Sequence, residues 1–349
     1  MADNPDWPRK AYKNDKFLNS KDARGLRILS EYMEPEARFE EFQVRDTVVF
    51  FGSARFVSRD EAEKRLKAAQ DQDSDVTAAE CDLEMSAYYE AARELAGLLT
   101  EWSKALEGED SRFIVCSGGG PGFMEAANRG ASEAAGINAR LNISLPLEQA
   151  DNPYITRELN FEFRYFFMCK FWFVYLAKAI IVFPGGFGTH DAGFETLTLV
   201  QTGKAQLMPI VMLEAPGSGY WRAWDRYVRR HLLGQDLISP DDLSLYRIAG
   251  SPKEAIREFR SFYRIFHSAR VIRRRLVIRT TKQLGSAPLG HLSDRYADIL
   301  GGRPIRHRAA FKEEFDEPEV AELHRLVLDF DMMSYGRLRL LIDELNRLD

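Results

Sequence analysis

Hydrophobic and polar residues follow one another along the chain in two different periods. Short apolar runs that end in turns predict buried strands over residues 47–51, 112–116, 139–145, 179–183 and 208–213. Apolar positions three and four residues apart predict helices over residues 20–33, 59–70, 79–106, 166–176 and 195–202, with a further helix beginning near Phe123. Strands that alternate with helices predict an α/β fold, a Rossmann-like doubly wound parallel sheet with helices on both faces.

The pattern changes near residue 262. Strands over 271–281, 305–311 and 325–331 and helices over 289–300 and 334–348 predict a small C-terminal α+β appendage in the order β-α-β-β-α. We therefore expect an N-terminal arm and helix over 1–40, a Rossmann-like domain over 41–261 and an accessory domain over 262–349. Five arginines between 270 and 279 suit either an anionic ligand or a solvated strand face, and the solvated face is favoured.

Composition narrows the class of protein. The 349 residues carry a formal net charge of −5, which argues against nucleic acid as a partner. No stretch approaches the ~18 apolar residues of a membrane span. Cys81, Cys116 and Cys169 form no CxxC pair, so we expect a cytoplasmic protein. The six histidines lack metal-ligand spacing, and we expect neither a metal nor a cofactor.

Glycine-rich turns follow three of the predicted strands, at 52–53, 118–120 and 185–189. In an open parallel sheet, ligands bind at the carboxyl ends of the strands, so these turns should face one crevice. A single such turn is explained equally well by positive φ angles and close packing. Three turns on one sheet favour a phosphate-bearing ligand.

The third turn, PGGFGT over 184–189, is the most informative. Its backbone N–H groups are uncovered, and we expect Thr189 to cap a helix whose N-terminus attracts an anion. The spacing matches neither GxxxxGK[ST] nor GxGxxG, which argues against a Walker-type ATP site and a dinucleotide site. A monophosphate fits this turn best.

The segments SGGGPGFMEAANRGA (117–131), VFPGGFGT (182–189) and FETLTLVQTGK (194–204) together resemble the Lonely Guy family of nucleoside 5′-monophosphate phosphoribohydrolases. The resemblance spans about residues 45–250. It implies hydrolysis of the N-glycosidic bond of AMP-like nucleotides to a base and ribose 5-phosphate, by a homodimer or a larger homo-oligomer. The aromatic run 161–175 is either an oligomer face or core.

The resemblance also implies which residues meet the nucleotide. The matching positions in the three turns are Gly52, Ser53, Gly119, Gly120, Met124, Glu125, Gly185, Gly186, Gly188 and Thr189. Glu125 is explained equally well as a first-turn helix charge. Arg164 and His190 are further candidates for binding, with packing and solvent exposure as their respective alternatives.

The catalytic pair departs from the family pattern. PGGxGTxxE places a glutamate where this chain has Ala192, and the arginine of the family's Arg-Lys pair is Cys169 here, while Lys170 remains. Asp191, one residue earlier, and Glu195, one turn later, are the candidates to substitute for the glutamate. Cys169 is better explained as a packed thiol than as a nucleophile. The sequence therefore predicts a nucleotide hydrolase of reduced activity, with an inactive nucleotide sensor as the alternative.

Overall fold

The computed structural model describes residues 8–106, 111–144 and 152–348. Residues 1–7 of the expected arm, and Leu145 at the end of the third predicted strand, lie outside the described residues. The strands are β1 Thr47–Phe51, β2 Ile114–Ser117, β3 Asn138–Ile143, β4 Asn160–Phe163, β5 Ala177–Val182, β6 Ile210–Leu213, β7 Arg247–Ala249, β8 Phe266–Ile272, β9 Arg275–Thr280, β10 Arg306–Arg308 and β11 His324–Leu328. The α-helices are α1 Asp15–Leu18, α2 Arg24–Glu41, α3 Arg59–Asp71, α4 Thr77–Lys104, α5 Phe123–Glu133, α6 Phe166–Tyr175, α7 Phe187–Gln201, α8 Tyr220–Tyr227, α9 Pro252–Phe262, α10 Ser286–Arg295 and α11 Tyr335–Leu345.

The main sheet is parallel throughout and has the order β4-β3-β2-β1-β5-β6-β7. The chain moves outward from β1 to β4 and then returns to place β5 on the other side of β1, which makes the gap between β1 and β5 the topological switch point. The predicted doubly wound α/β class is confirmed. Helices cover both faces, because alternate residues of each buried strand enter two separate hydrophobic cores.

The edge strands β4 and β7 were not predicted. Both are four residues or shorter, and β4 lies inside the long apolar stretch that also contains α6. The N-terminal helix is also longer than the pattern predicts, since α2 continues past Pro35 to Glu41. Phe39 anchors this extension: its ring centroid lies 4.9 Å from that of Phe161 and 5.7 Å from that of Trp172.

The C-terminal region forms a second, antiparallel sheet of order β10-β11-β9-β8, flanked by α10 and α11. Its α+β character is confirmed, but the single strand predicted over 271–281 is two strands, which gives β-β-α-β-β-α. The turn between β8 and β9 consists of Arg273 and Arg274 with φ of 49° and 65°. The prediction failed there because left-handed turns of this kind are usually marked by Asn or Gly.

Helix α11 fastens the second sheet to the main domain. The Ser244 hydroxyl donates to the Gly336 carbonyl at 2.7 Å, and Arg247 forms an ion pair with Asp343 at 2.9 Å. Asn346 accepts from the backbone N–H groups of Ile265 and Phe266 at 2.9 Å each, at the start of β8. The two sheets thus share an extensive polar and apolar contact.

Candidate functional site

The three glycine-rich turns follow β2, β1 and β5, which are adjacent in the sheet. The turns therefore lie side by side at the carboxyl edge, on both sides of the switch point, where open α/β sheets bind their ligands. The Ser53 N–H donates to the Pro184 carbonyl at 3.2 Å and joins the turn after β1 to the turn after β5. The expectation that the turns converge is met by this topology.

The first turn is held against the start of α5. A Cβ atom added at Gly52 would lie 2.3 Å from the Phe123 ring, and one at Gly122, where φ is +73°, would lie 2.4 Å from the Ser53 carbonyl oxygen. Phe123 N–H donates to that same oxygen at 3.3 Å. These glycines are thus required by packing, and they bring α5 close to the switch point.

The second turn carries a cation that the motifs did not reveal. A Cβ atom at Gly119 would lie 1.9 Å from Nε of Arg140, so this guanidinium rests directly on the turn. Ser117, the last residue of β2, pairs with Arg140 on β3. Nε of Arg140 is buried and has no hydrogen-bond partner among residues 8–106, 111–144 and 152–348. Met124 lies beside it, with its sulfur 2.5 Å from where a Cβ at Gly118 would be.

Glu125 is held by a buried tyrosine. The Tyr89 hydroxyl, on α4, donates to Oε1 of Glu125 at 2.7 Å. Burial, and then the hydrogen bond to Glu125, raise the pKa of Tyr89 well above its usual range. Glu125 lies in the first turn of α5, so the helix-charge interpretation and the ligand interpretation both remain compatible with its position.

The third turn differs from the first two because part of it is open. A Cβ atom at Gly185 would meet Oγ1 of Thr189 at 2.1 Å, whereas Cβ atoms at Gly186 and Gly188 would meet nothing within 4 Å. Helix α7 begins at Phe187, with Gly186 as N-cap and no side-chain cap. The expected cap by Thr189 is wrong, because this residue is already in the first helical turn and is buried.

Tyr220 fixes the turn from the side, and sequence reasoning missed it. Its hydroxyl donates to the Gly185 carbonyl at 2.6 Å and lies 2.9 Å from Nε2 of His190. Because the hydroxyl proton is already donated, His190 carries its own proton on Nε2 and donates it to Tyr220. Burial lowers the pKa of His190, so the ring is neutral at pH 7. His190 therefore turns toward Tyr220 rather than fully into solvent.

Lys170 forms ion pairs with Asp191 and Glu195, the two candidates to substitute for the family's glutamate at position 192. Its Nζ, on α6, lies 3.0 Å from Oδ2 of Asp191 and 2.8 Å from Oε2 of Glu195, both on α7. Burial alone would lower the pKa of Lys170, but the hydrogen bonds to Glu195 and Asp191 outweigh it and raise the pKa. Ala192 adjoins this ion-pair cluster and contributes no charge.

Cys169 and Arg164 are placed less favourably for chemistry. The Cys169 side chain is 2% exposed, and its sulfur lies 3.6 Å from the Leu141 carbonyl oxygen on β3. Burial raises its pKa to about 12, which leaves no thiolate at neutral pH. Arg164 is exposed, and its backbone N–H donates to Oε1 of Glu31 at 2.9 Å. The packed-thiol interpretation of Cys169 agrees with this geometry.

The family comparison agrees with the motifs. Residues 124–259, from α5 to α9, match a family model described as "Possible lysine decarboxylase", the former label of the Lonely Guy enzymes. This part of the chain is therefore similar to the Lonely Guy family. The resemblance is thus confirmed, although the matched range begins after β1 and β2, later than the motifs suggested.

Three solved structures are similar to this chain. The structural genomics target TM1055 is 19% identical and aligns over 61% of this chain and 97% of its own, with a TM-score of 0.37. A molybdenum cofactor binding protein from Rippkaea orientalis is 17% identical over 62% and 97%, with a TM-score of 0.35. A Moco carrier protein from Chlamydomonas reinhardtii is 16% identical over 61% and 95%, with a TM-score of 0.33. No curated protein matches the chain.

Two classes of feature are absent from the described parts of this chain. Residues 8–106, 111–144 and 152–348 contain no group of three or more His, Cys, Asp or Glu side chains placed to hold a metal ion. In these same ranges, every helix is too short or too polar to cross a bilayer.

Proposed function

We propose that the protein binds a nucleoside 5′-monophosphate at the carboxyl edge of the main sheet, with the phosphate at the N-terminus of α7, and hydrolyses its N-glycosidic bond slowly. The observation that carries the proposal is the open space at Gly186 and Gly188 beside the switch point. The first backbone N–H groups of a helix have no intrahelical acceptor. Together with the helix dipole they attract a phosphate.

The turn is held in shape before any ligand arrives. The Tyr220 hydroxyl donates a hydrogen bond to the Gly185 carbonyl at 2.6 Å, and the Ser53 N–H donates one to the Pro184 carbonyl at 3.2 Å. A binding loop that is already ordered loses less conformational entropy when the ligand binds. The same contacts explain why His190 supports the turn: its proton goes to Tyr220, and its neutral ring adds no charge to the phosphate site.

Arg140 is the cation best placed to meet another part of the nucleotide. It rests on Gly119 and has a buried Nε without a partner, and no carboxylate pairs with it among the described residues. A guanidinium either donates hydrogen bonds to a phosphate or stacks on a base, because it is both charged and planar. An Arg140→Met variant should therefore bind the nucleotide more weakly while leaving the phosphate turn intact.

Slow hydrolysis follows from the charges around Lys170. In the reaction, water adds to the anomeric carbon, the bond to the base breaks, and the base leaves with a proton. Positive charge develops on the ribose, and a free carboxylate beside it stabilises that charge. Asp191 and Glu195 are both within 3.0 Å of the Lys170 ammonium, which cancels much of their field. Ala192 and the neutral, buried Cys169 supply no replacement.

Binding is tested by isothermal titration calorimetry with AMP, GMP, CMP and UMP. We expect at least one nucleotide to bind, and ribose 5-phosphate to compete with it because both ligands use the phosphate turn. The absence of heat with all four nucleotides, together with no competition by ribose 5-phosphate, would contradict the proposal.

Turnover is tested with a reducing-sugar assay on the native chain, on Ala192→Glu and on the double variant with Cys169→Arg. Ala192 is half-buried, whereas position 169 is 2% exposed, so an arginine there must displace packed atoms of β3 or α6. The double variant is therefore compared only if its melting temperature stays within a few degrees of the native one. Cys169→Ser is the matched control.

We expect little turnover by the native chain, and more once the glutamate is restored. Brisk and equal turnover by the native chain and by the variants that carry the glutamate would show that the cluster around Lys170 suffices for catalysis. The second candidate function is a nucleotide sensor without turnover, which the ion-paired state of Lys170 favours. It predicts binding with no sugar released by the native chain.

A further inference from the structure

A cavity lies at the amino edge of the main sheet, opposite the candidate nucleotide site. It is enclosed between the amino ends of the strands and the C-terminal sheet. Its volume is about 650 Å³, within the range that holds a metabolite. Arg112 enters it from just before β2, and Lys178 from the second position of β5. Residues of β8 and β9, His267 and Arg279 among them, close it from the other sheet. No part of the candidate nucleotide site reaches this edge.

Most of the charges that line the cavity are already paired. Arg112 holds Asp46 at 3.0 Å, and Arg279 holds Glu314 at 2.8 Å. Arg270 holds both Asp316 and Glu317 at 2.8 Å. Arg45 lies 3.8 Å from Glu319, so each arginine that lines the cavity has a carboxylate partner.

Lys178 is the exception. Its Nζ donates to a neutral acceptor, the Gln206 side-chain oxygen, at 2.6 Å, and no carboxylate forms an ion pair with it among the described residues. The charges of Asp46 and Glu317 reach Lys178 from a distance, but Asp46 is occupied by Arg112 and the backbone N–H of Phe113, and Glu317 is occupied by Arg270 and Arg279. Lys178 therefore brings an uncompensated positive charge to an enclosed space, and such a charge is costly unless an anion joins it.

His267 does not compete for the anion. Its Nε2 lies 3.4 Å from the Arg112 guanidinium, which can only donate, so the ring accepts there and keeps its proton on Nδ1 beside Ser268. Burial, then the neighbouring cations Arg112, Lys178 and Arg279, lower the pKa of His267 to about 4. The ring is neutral at pH 7, so among the described residues that line the cavity Lys178 is the cation without a carboxylate partner.

We propose that this cavity binds a metabolite-sized anion whose carboxylate or phosphate group lies on Lys178. The proposal does not rest on the proposed function, because it involves the other edge of the sheet. Strand β5 connects the two places: it begins at Ala177, beside Lys178, and ends at Val182, just before the PGG turn. An anion bound between the two sheets is therefore placed to influence the nucleotide site through this strand.

The test compares two aldehydes on the intact protein, pyridoxal 5′-phosphate and pyridoxal. The lysine amine adds to the aldehyde carbon, water leaves to give an imine, and borohydride delivers a hydride to the imine carbon to make the link permanent. Mass spectrometry then locates and quantifies the modified lysines. Burial of an ammonium without a carboxylate partner lowers the pKa of Lys178, so the empty cavity supplies neutral amine for this reaction, whereas a bound anion stabilises the ammonium and slows it. Lys204, which is exposed, is the matched control.

We expect the phosphate-bearing aldehyde to modify Lys178 at least ~10-fold faster than pyridoxal does, and inorganic phosphate to slow that reaction. At Lys204 the two aldehydes should react at similar rates. Equal rates at Lys178 would show a reactive amine without an anion site, and no modification of Lys178 would show that the cavity is closed; either result overturns the proposal. Nucleotide binding is measured separately by calorimetry, so a failure of Lys178 labelling is distinguishable from a failure of the proposed function.

Discussion

Replacing Gly188 by alanine separates the stability of α7 from its role as a phosphate anchor. In the protein without ligand, a Cβ at this position meets nothing within 4 Å, so the change introduces no clash. Alanine is preferred over glycine in a helix by roughly 0.5–1 kcal/mol. We therefore expect the Gly188→Ala protein to be as stable as the native one, or to melt ~1–3 °C higher.

The same methyl group should weaken nucleotide binding. A Cβ atom points toward the N-terminus of its helix, which here is the space assigned to the phosphate. Loss of one charge-assisted hydrogen bond from a helical N–H costs about 1.5–3 kcal/mol. This loss corresponds to roughly 10- to 150-fold weaker binding.

The assay is calorimetry with the nucleotide that the native protein binds, together with a thermal melt of each variant. Gly290→Ala is the matched control, because Gly290 is also a helical glycine with open space around it, on α10 in the C-terminal region. Both variants should keep or gain stability, and only Gly188→Ala should lose affinity. If Gly188→Ala binds as tightly as the control, the phosphate does not lie at α7.

Three further outcomes are expected. Gly52→Ala should destabilise the protein by about 1–3 kcal/mol, measured by chemical denaturation, because its Cβ would lie 2.3 Å from the Phe123 ring; unchanged stability would mean that this contact relaxes freely. Ellman's reagent should modify one thiol in the native protein and three after unfolding, since Cys81 is exposed while burial raises the pKa of Cys116 and Cys169; rapid modification of a second thiol would contradict their burial. Burial alone would raise the pKa of Glu314, but the hydrogen bond from the Phe311 N–H and the contact with Arg279 outweigh it and lower the pKa. The ionised Glu314 therefore stabilises the folded protein at neutral pH, and this contribution is lost as the pH falls below about 4.5. Glu314→Gln should lower the free energy of unfolding by about 3 kcal/mol at pH 7 and make this free energy less dependent on pH below 4.5. An unchanged pH dependence would assign the acid sensitivity to other groups.

Much of the main domain could be read from local patterns. Strand β1 is a continuous apolar run and α4 is a long amphipathic helix, and each signal depends only on residues that are neighbours in sequence. The three turns were visible for the same reason, because glycine marks the places where chain segments approach closely. The short edge strands β4 and β7 were missed, because pairing with a neighbouring strand, rather than their own composition, makes them strands.

The candidate site likewise combines features that are visible in the sequence with features that depend on tertiary contacts. The sequence by itself determined the PGG turn, the helix that follows it and the loss of the family's charges at Cys169 and Ala192. Only the tertiary structure placed Tyr220 on the Gly185 carbonyl, 35 residues away, and Lys170 between the two carboxylates of α7. Lys178 faces a cavity solely because the C-terminal sheet packs against the amino edge of the main sheet. Contacts between residues far apart in the chain depend on how whole elements pack, and no local pattern encodes that packing.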